Sequence, residues 1–296
     1  MIHYPHCPLC NSDTFEPQLE IKDFSISGEI FPVCACSHCG LWFTQDAPSE
    51  AESSRYYQAE QYISHSDTDK GLVNRLYHLV RRRTLKSKQK LIESSSGIKG
   101  GSLLDIGSGT GSFLHTMQSA GWTVTGIEPD DIARKNALSL HQIETFPPNR
   151  IASLTSNSFD IITMWHVLEH VHGLENQMNE LHRLLKDRGK IFIAVPNHTS
   201  YDATHYGAFW AAWDVPRHLY HFSPAAMEFL SEKYHFKINA RRPMWFDSFY
   251  VSLLSEKYKT GKSRFISAIW IGLRSNLKAL ANVRKCSSII YILEKK

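Results

Sequence analysis

The 296-residue chain has no uninterrupted apolar run approaching the roughly 20 residues that span a bilayer, which argues against a membrane-embedded protein. No apolar leader follows the first Met. "MIHYPHCPLC" opens on His, Tyr and Cys, so the reading is of a cytoplasmic chain rather than a secreted one. Charge of one sign is lacking too. Lys and Arg number 33 against 29 Asp and Glu, a net of +4 that is too mild to imply nucleic acid by itself. Cysteine almost disappears after residue 39, where only Cys286 remains, which excludes a disulfide framework spread over the fold. The composition left, 42% apolar and 21% charged, is that of a soluble globular protein long enough for one sizeable domain plus a small one.

Five cysteines crowd the first 39 residues. Cys7-Pro-Leu-Cys10 and Cys36-Ser-His-Cys39 are two C-x-x-C pairs, and Gly40 after the second fits a tight turn. Each pair places two thiolates on one tetrahedral edge, so together they predict a closed structural Zn²⁺ site. Cys34 is the surplus thiol and the competing ligand for Cys36. "EIFPVCAC" reads as a strand running into the second knuckle. The domain expectation is a zinc ribbon over 1–46, a connector and basic helix over 47–96, and a main domain over 97–296. Within 47–96, residues 47–69 read as irregular. Residues 71–93 read as a helix with a Leu72, Leu76, Leu79, Val80 stripe and a basic run from Arg81 to Lys90. That run reads as a solvated face, with an anionic or membrane dock as the sharper alternative.

"SLLDIGSGTGSFLHTMQSAGW" is a buried strand, a glycine loop and a helix, the first βα unit of a doubly wound sheet. Gly107, Gly109 and Gly111 do not match the dinucleotide spacing, and no Lys-Ser/Thr ending makes it a phosphate-gripping loop. A second strand ends at Glu128, an acid suited to a ribose diol, followed by Pro129 at a helix start. The pattern Asp105-x-Gly107-Ser108-Gly109-x-Gly111 resembles motif I of the class I S-adenosylmethionine-dependent methyltransferases. The resemblance implies an α/β fold with a doubly wound, Rossmann-like, seven-stranded, mostly parallel sheet, and S-adenosyl-L-methionine as cofactor. It implies cofactor contacts from Asp105, Gly107, Ser108, Gly109, Gly111, Glu128, Pro129, Met164 and Trp165. "FDIITMW" and "KIFIAVPN" read as the fourth and fifth strands. "LENQMNELHRLLKDRG" between them reads as a helix ended by Gly189, and Ser223-Pro224 starts another. "FKINARR" and "SSIIYILEKK" read as the last two strands, with a helical insertion at about 247–285. No acid for an adenine amine precedes Asp160 after the third strand.

"TMWHVLEHV" carries H-x-x-E-H, the spacing of inverted zinc proteases, but it follows a buried strand rather than lying inside a long helix. If a helical turn starts near His166, then Glu169 and His170 share its face. The competing roles are a His general base for an acceptor hydroxyl and a second divalent ion near Glu169. A third reading is local capping. The stretch is similar to the E-x-x-E-H segment of ubiquinone-pathway O-methyltransferases and small-RNA 2′-O-methyltransferases, where it serves a metal. His166 replaces the first Glu. "WAAWDVPRHLYHFSP" adds Arg217, His218 and His221, with Arg217 suited to an acceptor phosphate or carboxylate. Trp210 and Trp213 read equally as a core plug.

The candidate catalytic set is therefore His166, Glu169, His170, Arg217, His218 and His221. The expected function is methyl transfer to a small-molecule or glycan acceptor, O-methylation preferred, with peripheral membrane contact through the insertion as one option. The ribbon before such a domain is also similar to deoxysugar C-methyltransferases. The rivals are an RNA methyltransferase, disfavoured because the basic run lacks interleaved aromatics, and a zinc-ribbon interaction module with a degenerate donor domain.

Overall fold

The computed structural model describes residues 1–57 and 72–296, with side chains of the first helix described from residue 83 onward. The expected connector at 47–69 lies outside the described residues from 58 on, as do the Leu72–Val80 stripe and the side chains of Arg81 and Arg82.

In chain order the elements are β1 (Phe15–Lys22), β2 (Ile30–Cys36), β3 (Trp42–Thr44), α1 (Leu72–Ser96), β4 (Gly101–Ile106), α2 (Ser112–Ser119), β5 (Trp122–Ile127), α3 (Asp131–His141), β6 (Thr145–Phe146) and β7 (Phe159–Trp165). They continue with α4 (Leu174–Leu184), β8 (Leu185–Pro196), α5 (Tyr201–Tyr206), β9 (Tyr220–His221), α6 (Pro224–Lys233), β10 (Phe236–Pro243), α7 (Asp247–Thr260), α8 (Phe265–Ala281) and β11 (Ser288–Lys295). The seven-stranded sheet runs β10-β11-β8-β7-β4-β5-β6, with β4 parallel to both β5 and β7. Its strands are apolar runs because both faces are covered: Leu103, Leu104, Ile161, Ile162 and Ile191 through Ala194 are fully buried. This is the expected doubly wound, mostly parallel architecture.

Local signals set the helix ends. Asp130 caps α3 by accepting from the Ala133 amide at 2.6 Å, and Ser223 caps α6 ahead of Pro224. One boundary differs from expectation. Gly189 does not end a helix; α4 stops at Leu184 and "LKDRG" already belongs to β8. A Cβ at Gly189 would lie 2.7 Å from the Leu185 side chain and 3.0 Å from the Asp160 carbonyl. Glycine there permits a close approach between strands rather than a stop.

The chain divides into two compact units. One comprises Met1–Gln61, His166–Met178 and Ile193–Leu293, and the other Tyr62–Trp165, Asn179–Phe192 and Glu294–Lys296. The first unit holds a four-stranded sheet, β1-β2-β3-β9, in which Trp42 pairs with His221 and Phe43 with Tyr220. The N-terminal cysteine segment thus takes its fourth strand from the histidine-rich loop. The second unit holds β4 to β7 and the glycine loop. No described helix is long and apolar enough to cross a membrane.

Candidate functional site

The glycine loop leaves β4 and turns sharply. Gly107, Gly109 and Gly111 have φ of 73°, 54° and 75°, the left-handed region that a side chain resists. Gly111 is needed twice over, since a Cβ there would sit 2.9 Å from the Ala137 Cβ of α3. At Gly109 a Cβ would meet nothing within 4 Å among the described residues. Glu128, buried at the end of β5, accepts from the Gly109 amide at 2.7 Å and from the Asp130 amide at 2.9 Å. Pro129 carries the chain from Glu128 to the α3 cap. Asp105 is buried below the loop and accepts from the Thr163 hydroxyl at 2.6 Å; burial pushes its carboxyl up to about 7. Met164 is fully buried in β7, whereas Trp165 packs edge-on to Phe113 with the Lys88 ammonium 4.1 Å from its ring centre. The Ser108 hydroxyl and the Trp165 indole N–H are buried without a partner among the described residues, donors and acceptors left over beside the loop.

β7 ends at Trp165, and His166 breaks the strand with φ of 57° while its amide still bonds Ala194 at 3.0 Å. Only Leu168–His170 form a helical turn, of the 3₁₀ type. The expected common face is therefore absent. His166 turns to Glu169 Oε1 (3.2 Å) and to Asp247 Oδ2 of α7 (2.8 Å). Burial disfavours its charged form, but Asp247 and then Glu169 outweigh that and push the imidazole up to about 10. His170 turns the other way, its ring edge-on to His218 with centres 4.6 Å apart. Burial and the neighbouring His218 push His170 down to about 4, so it is neutral near pH 7.

Glu169, His170 and His218 converge: one ligand atom from each lies within 4.8 Å of the others. Two backbone carbonyls set the tautomers. His170 Nδ1 faces the Arg217 carbonyl at 3.0 Å and His218 Nδ1 faces the Ala212 carbonyl at 2.9 Å, leaving Nε2 as the lone-pair nitrogen of each ring. Glu169 Oε2 is buried with no hydrogen-bond partner among the described residues. Burial works against the Glu169 carboxylate, yet His166 holds its pKa below the usual range.

Two expected residues are placed elsewhere. Arg217 is not free for an acceptor anion. It donates to Asp214 at 3.0 and 2.6 Å, to Asp23 at 3.0 Å and to the Tyr56 carbonyl at 3.1 Å, and it is 3% exposed. A planar fork with four oxygen partners from three residues is a clamp within the fold. His221 lies in β9 against the Thr44 hydroxyl at 3.0 Å, and burial holds its pKa well below the ordinary value. Trp210 and Trp213 form the core plug, each N–H satisfied, by Asp202 at 2.8 Å and by the Gly207 carbonyl at 2.9 Å. Sequence reasoning missed Asp247, Tyr57 (hydroxyl 3.3 Å from His170 Nδ1) and Lys88. Asp247 and Tyr57 carried no motif; Lys88 sat inside a run read as solvated.

In the N-terminal segment the four sulfurs of Cys7, Cys10, Cys36 and Cys39 lie within 4.8 Å of one another, and Cys34 stands outside the group. The Cys7–Cys39 and Cys10–Cys36 separations are both 3.5 Å, close to the edge of about 3.8 Å that zinc–sulfur bonds of about 2.3 Å give a tetrahedron. The Cys39 contact pulls the Cys7 thiol down to about 5.

Comparison with known proteins adds what geometry alone does not. A family described as a methyltransferase domain matches residues 77–240. The ubiquinone biosynthesis O-methyltransferase of Actinobacillus pleuropneumoniae is 36% identical over 119 residues, covering 36% of this chain and 50% of that protein. That of Pseudomonas paraeruginosa is 30% identical over 114 residues, covering 36% and 49%. The chain thus spans about half the length of the curated relatives it matches. Among solved structures, the magnesium protoporphyrin IX methyltransferase of Synechocystis PCC 6803, with bound SAH, gives a TM-score of 0.52 at 14% identity, covering 82% of this chain and 92% of that one. At that identity the likeness is one of fold. The family match takes in more than half of the chain and includes the glycine loop, Glu128 and the histidine cluster, so the chain belongs to the S-adenosylmethionine-dependent methyltransferase family.

Proposed function

We propose that the chain methylates a hydroxyl of a small-molecule acceptor, with S-adenosyl-L-methionine as donor. The observation that carries the hydroxyl assignment is the convergence of buried Glu169, whose Oε2 has no hydrogen-bond partner among the described residues, with two imidazoles whose Nδ1 protons are committed to carbonyls. Two imidazole nitrogens and one carboxylate, each held from behind, are the donor set of a divalent cation with open positions. Such an ion would acidify an acceptor hydroxyl. The names of the relatives, O-methyltransferases, agree with an oxygen acceptor.

On this reading the acceptor oxygen bonds the methyl carbon as the sulfonium–carbon bond breaks, and the hydroxyl proton must leave. His166 is unsuited to take it, being already protonated near neutral pH between two carboxylates. With the lone pairs of His170 and His218 committed to the ion, the acidified hydroxyl would release its proton to solvent water. The loop residues Gly107, Ser108, Gly109 and Gly111 hold the donor against the main chain, and Glu128 exchanges the Gly109 amide for the ribose diol. Cys7, Cys10, Cys36 and Cys39 hold a structural Zn²⁺ with no open position.

Calorimetry and metal analysis test this together. The chain should bind the donor, carry one zinc, and take up a second divalent ion that Glu169→Gln loses by more than about 100-fold, beyond the range for outer-shell partners. A Glu169→Gln chain that keeps the second ion removes the metal-assisted version. A chain that shows no heat with the donor at about millimolar concentration leaves the ribbon-module reading.

A further inference from the structure

The helical hairpin α7–α8, between β10 and β11, has an apolar surface that the site does not use. The inner face of α8 is mostly small: Ala268, Gly272, Ser275 and Ala279 are buried, together with Ile271. It is locked in place, with a Gly272 Cβ position 2.6 Å from the Phe249 ring of α7, Ser275 bonded to Asp202 at 2.6 Å and Asn276 to Ser248 at 3.0 Å. The outer face is large and apolar. Phe265, Ile266, Ile269, Trp270, Leu277 and Leu280 are exposed, Ile266 by 87% and Leu280 by 69%. At about 100° per residue they fall within roughly 140° of the helix circumference, a continuous stripe. Tertiary packing therefore accounts for the small residues of α8 and for Ile271, and leaves the six large residues of the stripe facing outward.

Charge says what covers them. From residue 257 to 282 there are six basic side chains, Lys257, Lys259, Lys262, Arg264, Arg274 and Lys278, and no Asp or Glu. All six are exposed. The chain as a whole is nearly balanced, at +4, so this segregation is local. At 17 residues, α8 is too short to span a bilayer. An apolar stripe with aromatics, flanked by cations and free of acids, fits the boundary between acyl chains and anionic headgroups. We propose that the outer face of α8 docks on an anionic lipid bilayer surface, lying in its plane. Salt weakens the first encounter, since the flanking cations make it, and the apolar stripe holds the docked state. Docking is independent of the methyl-transfer reading.

Vesicle co-sedimentation of the full chain tests it. Phosphatidylcholine vesicles with about one third phosphatidylglycerol should bind the chain at least about tenfold more tightly than phosphatidylcholine alone, and less so in about 0.5 M salt. Ile266→Asp with Ile269→Asp, both at exposed positions, should lower that binding by about tenfold or more with thermal unfolding unchanged. Lys262→Gln with Lys278→Gln should lower it severalfold and flatten its salt dependence. Equal binding to both vesicle types overturns the proposal, as does full binding by the Ile266→Asp, Ile269→Asp chain. A wild-type dimer in ultracentrifugation that this variant turns into a monomer, without vesicle binding, also overturns it by assigning the stripe to a second copy.

Discussion

The glycine loop and the histidine cluster are built from opposite materials. In the loop the main chain makes the shape: three left-handed glycines and a Glu128 carboxylate held by the Gly109 amide. In the cluster side chains make the shape, and the main chain only assigns protons, through the carbonyls of Arg217 and Ala212. The first is damaged by adding an atom, the second by removing one. The glycines of the first carry no group that titrates; the second works only in particular protonation states.

The largest expected effect comes from breaking the loop. Gly111→Val combines a β-branched residue at φ of 75° with a Cβ 2.9 Å from Ala137. The backbone alone costs about 1–3 kcal/mol, and the clash adds to it. Donor binding should be lost in calorimetry while uptake of the divalent ion persists. Retained donor affinity would show that the bend does not make the donor site. The cluster is sharpened rather than broken by Asp247→Asn. Asp247 is not itself a candidate ligand; it bonds His166 Nε2 at 2.8 Å, and His166 Nδ1 bonds Glu169. Weakening that chain should reduce divalent-ion affinity by about tenfold, as for outer-shell partners, and leave the donor heat unchanged.

The two regions also divide in pH. Asp105, under the loop, has its carboxyl pushed up to about 7 by burial. Unfolded, it titrates near 3.9. Below about pH 4 the group is protonated in both states, and its contribution to stability is fully present. As pH rises toward about 7 the unfolded chain releases the proton and the folded chain keeps it, so stability falls. Urea unfolding at pH 5 and pH 7.5 should show this loss for the native chain and a smaller one for Asp105→Asn. An identical slope in both would mean that Asp105 does not titrate abnormally.

Legibility followed the same division of materials. Glycine spacing states a backbone shape directly, so the loop, its strand and Glu128 were readable, as were the four thiols. Side-chain partners are not written at any fixed distance in a sequence. Arg217 looked available because nothing in "VPRHL" shows Asp23, 194 positions away, taking its guanidinium. His166 was placed on a helical face that its left-handed backbone abolishes. Gly189 reads as a helix stop because glycine commonly follows a last helical turn; only the packing of Leu185 and Asp160 shows that a strand needs it. A two-residue strand such as β9 has no periodicity to read.

The smallest effect probes where a side chain meets the loop region. Lys88 lies 4.1 Å from the Trp165 ring centre, and its charge also favours ionised Asp105. Lys88→Gln removes a cation–π contact worth about 0.5–1 kcal/mol. It also raises the Asp105 pKa further, so the pH 5 to 7.5 loss of stability should widen rather than shrink. The double change Lys88→Gln, Asp105→Asn should restore the shallow slope while keeping the cation–π cost. If the two substitutions add without interacting across pH, Lys88 acts on Trp165 alone, and the base of the loop is electrostatically separate from α1.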